Sequence, residues 1–349
     1  MNQAFKRFLD LDRQDRQGVF EATAEELNTV PIYVEKDFWV CFILDILFNE
    51  FPKESPRLLF KGGTSLSKVY QIINRFSEDV DFVVFRDDLG FDGDKDPCSL
   101  EISNKKRQKL SKKLAEEASD YICNQLKNDL ERSAAIVSPD CSVALDENDK
   151  STLLFQYPSL FVLDNNSYVQ PRIKLEGGAR SALDPHEKHM IQPFIANELQ
   201  GWDFSIPNIT TISLQRTFWD KIMILHGWSC GYRDDKNRLP TDAQRLSRHY
   251  YDVATIYKTD IGRNAVDNAE LRESVRQHTE NFFYSAWRKL DQAVPGSITI
   301  VPKDELRKIL EKDYQAMQGM MLGDIPDFKE IVEEIAALEG QINESSTLE

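Results

Sequence analysis

The stretch "FKGGTSLSKVYQIINRFSEDVDFVV", residues 60–84, decides how the first half of this chain is read. It opens on Gly62 and Gly63, followed by Thr64 and Ser65, and closes on Asp79 and Asp81 within a run of Val and Phe. β-Branched and aromatic residues over 79–85 predict a strand. Two residues apart on a strand, the two carboxylates project to one face about 6–7 Å from each other. Leu66, Val69, Tyr70 and Ile73 make one apolar stripe and predict a helix over 64–74. Together with "RLLF" (57–60) as a short strand, the order is strand, glycine turn, helix, strand. Glycine in such a turn lets the backbone approach an anion closely, and a helix start offers it unpaired N–H groups. A steric demand for glycine explains the turn alone equally well. The acids shift the balance, because paired carboxylates on an interior-looking strand are costly unless a cation neutralises them. All-oxygen donors select a hard ion such as Mg²⁺ or Mn²⁺.

Working outward, the chain of 349 residues is long enough for one large domain or two ordinary ones, and 41% hydrophobic residues is normal for a buried core. Cys41, Cys98, Cys123, Cys141 and Cys230 are scattered without C-x-x-C spacing, which fits a reducing compartment and argues against a disulfide framework or a zinc site. The first residues are mostly polar, and the greasiest run, "FWVCFILDILF" (38–48), is interrupted by Asp45. The expectation is a soluble, cytoplasmic protein with no membrane association.

The net charge of −15 is unevenly spread. Lys303 to Glu349 holds 5 basic and 12 acidic residues, a net −7, whereas Arg216–Arg248 and Ser103–Arg132 are each +3. A polyanion could therefore bind locally to a globally acidic chain. "NKKRQKLSKK" (104–113), with six basic residues and no acid, opens a long predicted helix and reads either as a solvated face or as an RNA-phosphate patch.

Thr23-Ala24-Glu25-Glu26 resembles a capping box opening a short helix, and "VEKDFWVCFILDILFNEF" (34–51) predicts a buried one. "AAIVSP", "TLLFQYPSLF" and "YVQPRIKLE" read as successive strands. After Trp202 the spacing becomes helical in five consecutive segments, which places a domain boundary near residue 200, with domains 1–200 and 201–349. His186 and His189 fall in a "DPHEKH" loop with no further zinc ligand nearby.

A two-carboxylate metal site needs a third acid on a neighbouring strand to share a cation and take a proton. Glu176 in "PRIKLEGGAR", on one face with Lys174, is the candidate, and a surface glutamate beside Arg180 is the competing reading. Positive charge for a triphosphate is offered by Lys221 in "LQRTFWDKIMILH", where an ordinary surface lysine fits the spacing equally. In "RLSRHYYDVATI", Tyr251 could stack on a base or pack in a core.

The glycine–hydroxyl turn, helix and Asp-x-Asp strand together resemble the nucleotidyltransferase fold of the DNA polymerase β superfamily, with a slightly long spacing between Gly63 and Asp79. The blocks "EKDFWV" (35–40), "FKGGTSLSK" (60–68), "RFSEDVDF" (75–82), "IKLEGGARS" (173–181), "RTFWDKIMILH" (216–226) and "SRHYYDVA" (247–254) are, as an ordered set, similar to the AbiEii family of nucleotidyltransferase toxins. The resemblance spans roughly residues 30 to 260. It implies an α+β chain in which a polymerase β-like domain, a mixed sheet flanked by helices, precedes a mostly helical domain. It further implies Asp79, Asp81 and Glu176 as metal ligands and catalytic carboxylates, Glu176 also acting as base, with Lys221 as the catalytic lysine that neutralises charge on the phosphates. Gly62, Gly63, Thr64 and Ser65 would hold the nucleotide phosphates, with Lys61, Arg75, Arg180, Arg248 and Asp252 as further nucleotide-binding candidates. The implied reaction moves a nucleoside monophosphate from an NTP, with Mg²⁺ or Mn²⁺, to an acceptor hydroxyl such as the tRNA 3′ end. A separately encoded antitoxin is the implied protein partner. Two other readings compete: a nucleotidyltransferase acting on a small molecule such as an antibiotic, which the overall acidity suits, and a non-catalytic binding protein, against which the full set of acids counts.

Overall fold

Apolar side chains on nearly every face of residues 31–47 leave that segment no place but the interior. The computed structural model describes residues 2–77, 79–99, 101–161, 170–239 and 245–344. The chain divides into two compact units, Met1–Gln71 with Phe76–Ile212, and Ile72–Arg75 with Ser213–Glu349.

The first unit begins with helices α1 (Gln3–Leu9), α2 (Arg13–Glu26) and α3 (Pro31–Asp45), the last continuing as a π-turn through Glu50. Every residue of α3 from Val34 onward is buried. Then come β1 (Leu58–Lys61), α4 (Gly62–Lys68), β2 (Val80–Val84), α5 (Asn104–Tyr121), α6 (Lys127–Ala135), β3 (Ser142–Leu145), β4 (Thr152–Gln156), β5 (Arg172–Glu176), β6 (His186–Ile191) and β7 (Ile206–Ile212). Among the described residues the strands form one seven-stranded sheet in the order β3-β4-β5-β2-β1-β7-β6. It is mixed: β2 runs parallel to β5 and β1 parallel to β7, while the other neighbours are antiparallel. The fold is α+β. Phe5, Phe8, Phe20 and Phe38 pack ring against ring under the first helices, and Trp39 and Phe42 of α3 meet Phe155 of β4.

The second unit is helical: α7 (Leu214–Asp234), α8 (Ser247–Tyr257), α9 (Asp260–Val266), α10 (Ala269–Phe283), α11 (Asp304–Met317) and α12 (Phe328–Glu344). The acidic C-terminal segment packs here rather than standing apart, up to Glu344; residues 345–349 lie outside the described residues. α11 and α12 both lie on α8. Asp313 of α11 accepts from the backbone N–H groups of Arg245 and Ser247, each at 2.7 Å, and so caps the start of α8. No helix among the described residues is long and apolar enough to cross a membrane.

Five local expectations are corrected. Residues 23–26 close a helix instead of opening one: the cap of α2 is Asp12, which accepts from Asp15 N, and Thr23 Oγ donates back to Val19 O within the helix. α4 stops at Lys68, and Gln71 takes a left-handed φ of +52°. "AAIVSP" is no strand, because the buried stripe of α5 and α6 runs on through Leu130 and Ala134. "DPHEKH" enters strand β6. The helical region is preceded by one more strand, β7, after Trp202. Of the "YVQPRIKLE" segment, Tyr168 and Val169 lie outside the described residues, and β5 holds the rest of the strand.

Candidate functional site

Register places the charged residues of the first unit. Glu176 of β5 is paired with Asp81 of β2, and Asp81 with Lys61 of β1, so the three form a row across adjacent strands. Paired residues share a face and neighbouring strands lie about 4.8 Å apart, which sets Glu176 beside Asp81. Lys174, two residues before Glu176 on β5, falls on that same face. Asp79 lies just before β2, which starts at Val80 and not at residue 79 as expected, and is near enough to act on the Lys174 ammonium.

Each strand acid of the row has a lysine beside it. Lys61 Nζ lies 4.0 Å from Asp81 Oδ1, and Lys174 Nζ lies 2.5 Å from Glu176 Oε1. Burial pulls the Lys174 ammonium down, but Glu176, then Asp79 and Asp146, outweigh it and hold the group above its ordinary pKa.

The turn is built against the acids. Gly62 has φ +82°, and a Cβ added there would sit 1.9 Å from Asp81 Oδ2. Both facts demand glycine, one through the backbone and one through space. Thr64 Oγ1 donates to the Asp79 carbonyl and lies 2.9 Å from Ser77 Oγ. Ser65 Oγ donates to Gly62 O at 2.8 Å. The two hydroxyls therefore fasten the turn to itself and to the Asp-x-Asp segment. Lys68, at the end of α4, reaches Asp37 of α3 at 2.6 Å, and Asp37 also accepts from Phe194 N at 2.8 Å. Burial alone would lower the Lys68 ammonium; Asp37 reverses this and holds it raised. This pair anchors the turn helix to the core, and no local sequence signal announces it.

In the second unit, Arg75, Lys221 and Asp252 come together. Arg75 donates Nε and Nη2 to the two oxygens of Asp252, both at 2.9 Å, and Lys221 Nζ lies 2.9 Å from Asp252 Oδ2. Burial would raise the Asp252 carboxyl, yet Arg75 and Lys221 drive it well below the carboxylate range. Burial lowers the Lys221 ammonium, with Asp252 opposing. Lys221 also lies 3.3 Å from His249 Nδ1. Burial, then Lys221 and Arg248, push the imidazole well below its ordinary pKa, so it is neutral and Nδ1 accepts. His249 had no part in the sequence-derived site. The signal available was its position three residues before Asp252, on one face of α8. Tyr251 is buried and its hydroxyl takes the N–H of Asn74, so it packs in the core. Arg248 is half-buried in the first turn of α8, and Arg180 is exposed beyond β5.

Does the acid face fit a divalent cation? Among the described residues no three His, Cys, Asp or Glu side chains are already gathered as a metal cluster. The backbone register nevertheless sets Asp81 and Glu176 side by side, and Asp79 lies two residues before Asp81, just outside β2. Their donors are all oxygens, and the lysines that now engage Asp81 and Glu176 are half-exposed and exchangeable. The residues fit a hard cation by chemistry and by register, with side-chain rotation bringing the oxygens together.

The profile described as "Nucleotidyl transferase AbiEii toxin, Type IV TA system" matches residues 45–334. This chain belongs to the AbiEii family. It is accordingly a nucleotidyltransferase toxin of a type IV toxin–antitoxin system. No curated protein matches the chain. Among solved structures it is similar to MenT4, the nucleotidyltransferase toxin Rv2826c from Mycobacterium tuberculosis H37Rv, at 15% identity over 87% of this chain and 99% of that one, with a TM-score of 0.34. As AbiEii family membership implies, the substrate is an NTP and an antitoxin is the partner.

Proposed function

We propose that this AbiEii protein is an Mg²⁺- or Mn²⁺-dependent enzyme that transfers a nucleoside monophosphate from an NTP to the 3′-terminal hydroxyl of tRNA, the hydroxyl oxygen bonding to the α-phosphorus as the bond to pyrophosphate breaks and pyrophosphate leaves. The observation that carries the reading is the strand register that sets Glu176 beside Asp81, against the Gly62 turn. Asp79, Asp81 and Glu176 would hold the cation. When bound, it would neutralise charge on the triphosphate. Glu176 accepts the proton of the attacking hydroxyl, and release of Lys174 leaves it free to do so. Gly62, Gly63, Thr64 and Ser65 hold the phosphates, chiefly through backbone N–H groups, since both side-chain hydroxyls already donate to carbonyls. In the second unit, Arg75 and Lys221 share the single carboxylate of Asp252, which leaves one net positive charge suited to a phosphate.

The test is labelling of total RNA with each of the four NTPs in turn, in the presence of Mg²⁺. RNase-sensitive label running with tRNA is expected. Asp79→Ala should lower transfer by a factor of about 10² or more and abolish growth toxicity. Toxicity that survives this change overturns the proposed chemistry as its cause.

A further inference from the structure

The basic run "NKKRQKLSKK" is not absorbed by the acid face, and the structure gives it a definite shape. Ser103 caps α5 and no acid stands in its first turn. Lys105, Lys106, Lys109, Lys112 and Lys113 are all exposed, while Arg107, Ser111, Leu114 and Ala118 form the buried side of the same helix. At 3.6 residues per turn the five lysines occupy an arc of about 120° and a length of about 12 Å. Lys112 reaches Glu116 at 3.8 Å. Among the described residues Lys105, Lys106, Lys109 and Lys113 have no ion-pair partner. Beneath them Arg107 is buried, with Nη2 on Ser99 O and with Nε and Nη1 unpartnered among the described residues, which adds a further uncompensated positive charge.

Such a stripe stands against the overall net charge of −15. It is also tied to the acid face by a continuous helix. α5 runs without a break into the π-turn that begins at Ile122, and a Cβ added to Gly177 would lie 2.6 Å from Ile122 Cδ1. Ile122 therefore packs on the residue next to Glu176. Along the helix axis the lysines lie about 14–26 Å from that point.

We propose that the lysine stripe of α5 docks the phosphate backbone of the acceptor RNA, holding it while its 3′ end reaches the acids. The inference rests on the reading of an RNA acceptor given above. Phosphodiesters are favoured over an acidic protein segment by spacing. A nucleic-acid strand presents one charge about every 3.4 Å, so about 12 Å of stripe spans three or four consecutive phosphates. Lysines three and four apart, about 5–6 Å from one another, suit a row of point charges.

The experiment is RNA binding by fluorescence anisotropy as a function of salt, with tRNA as the probe, alongside transfer kinetics. The full-length protein is compared with a variant carrying Lys105→Ala, Lys106→Ala, Lys109→Ala and Lys113→Ala, and with one carrying Arg at the same four positions. The alanine variant should bind tRNA at least about tenfold more weakly at low salt, with a log–log salt slope shallower by about 3. Its KM for RNA should rise while its KM for NTP stays unchanged, and the arginine variant should restore binding. Wild-type affinity and slope in the alanine variant overturn the assignment while leaving the RNA acceptor intact. A wild-type protein that neither binds nor labels RNA removes the acceptor reading and this inference together. Polyglutamate binding as tightly as tRNA, and lost in the alanine variant, would make the stripe an acidic-protein docking face and also overturn the proposal.

Discussion

Two clusters of opposite charge sit in this protein under different physical conditions. On the acid face of the first unit, Asp81 and Glu176 are paired with lysines that are 32% and 40% exposed, one of them at a loose 4.0 Å. In the second unit, Asp252 is fully buried and receives bonds from Arg75 and Lys221, which are themselves almost completely covered. Water can replace a partner in the first cluster and cannot in the second. A charged group that must trade its partner for a substrate or a cation belongs in the first kind of setting. One that fixes chain geometry belongs in the second. The difference makes the acid face the setting where partners can be exchanged, while the Asp252 network keeps its ion pairs and can offer a phosphate only its net positive charge.

The strongest way to break this comparison is to remove Asp252. Asp252→Ala strands two buried cations, and loss of one member of a buried pair costs about 3–5 kcal/mol. Denaturant unfolding should show a loss of that size, whereas Glu176→Ala should unfold close to wild type while losing transfer. Equal stability losses in the two variants would erase the distinction.

Local pattern carried the reading of the chain a long way. Strand β2 was legible from its β-branched and aromatic residues, although it begins at Val80 and leaves Asp79 just outside; α3 was legible because apolar residues cover most of its faces, and α7 because its apolar residues recur at helical spacing. What was not legible depends on contacts distant in sequence. Nothing near Glu176 states that it pairs with Asp81, 95 residues earlier; parallel register is a property of the whole sheet. The helix expected through Asn74 stops at Lys68 because residues 72–75 are bound elsewhere. Asn74 donates to Tyr251 and accepts from Leu322, and Arg75 bridges to Met321 and pairs with Asp252. Strand β6 was hidden because it is an exposed edge, and its polar sequence reads as a loop.

Gly62→Ala sharpens the comparison from the side of the acid face. A left-handed φ in a non-glycine residue costs about 1–3 kcal/mol, and here the new methyl also displaces the Asp81 carboxylate. Transfer should fall far more than stability, because Asp81 is moved and the core is not. Unfolding and kinetics on the same preparation separate the two, and a variant with intact transfer would show that Asp81 need not stay against the turn.

Buried polar groups of the second unit should also announce themselves through pH. His226 is fully buried, with Nε2 on Lys289 O at 2.9 Å and Nδ1 accepting Thr299 N–H at 3.1 Å. Burial lowers its pKa, with the Lys289 bond opposing. The unfolded chain therefore binds a proton below about pH 6.5 that the folded chain refuses. Its contribution to stability is full above that pH and is lost as pH falls toward the lowered folded value, by at most about 1.4 kcal/mol per pH unit. His226→Gln should flatten this slope in unfolding curves measured at a series of pH values, and an unchanged slope would assign it to other groups.

The smallest expected effect is the most discriminating for the acid face. Lys174→Met removes the ammonium from Glu176 and keeps the apolar stem against the sheet. Both partners are about 40% exposed, so solvent screens the pair and its loss should change stability by less than about 1 kcal/mol. If Glu176 is held by an exchangeable partner, the variant should need less divalent cation for half-maximal transfer, since no lysine competes for the carboxylate. If Lys174 were instead a structural anchor of the Asp252 kind, the change would cost several kcal/mol and leave the cation requirement where it was. Unfolding and a cation titration on this single variant thus decide whether the acid face is open to exchange.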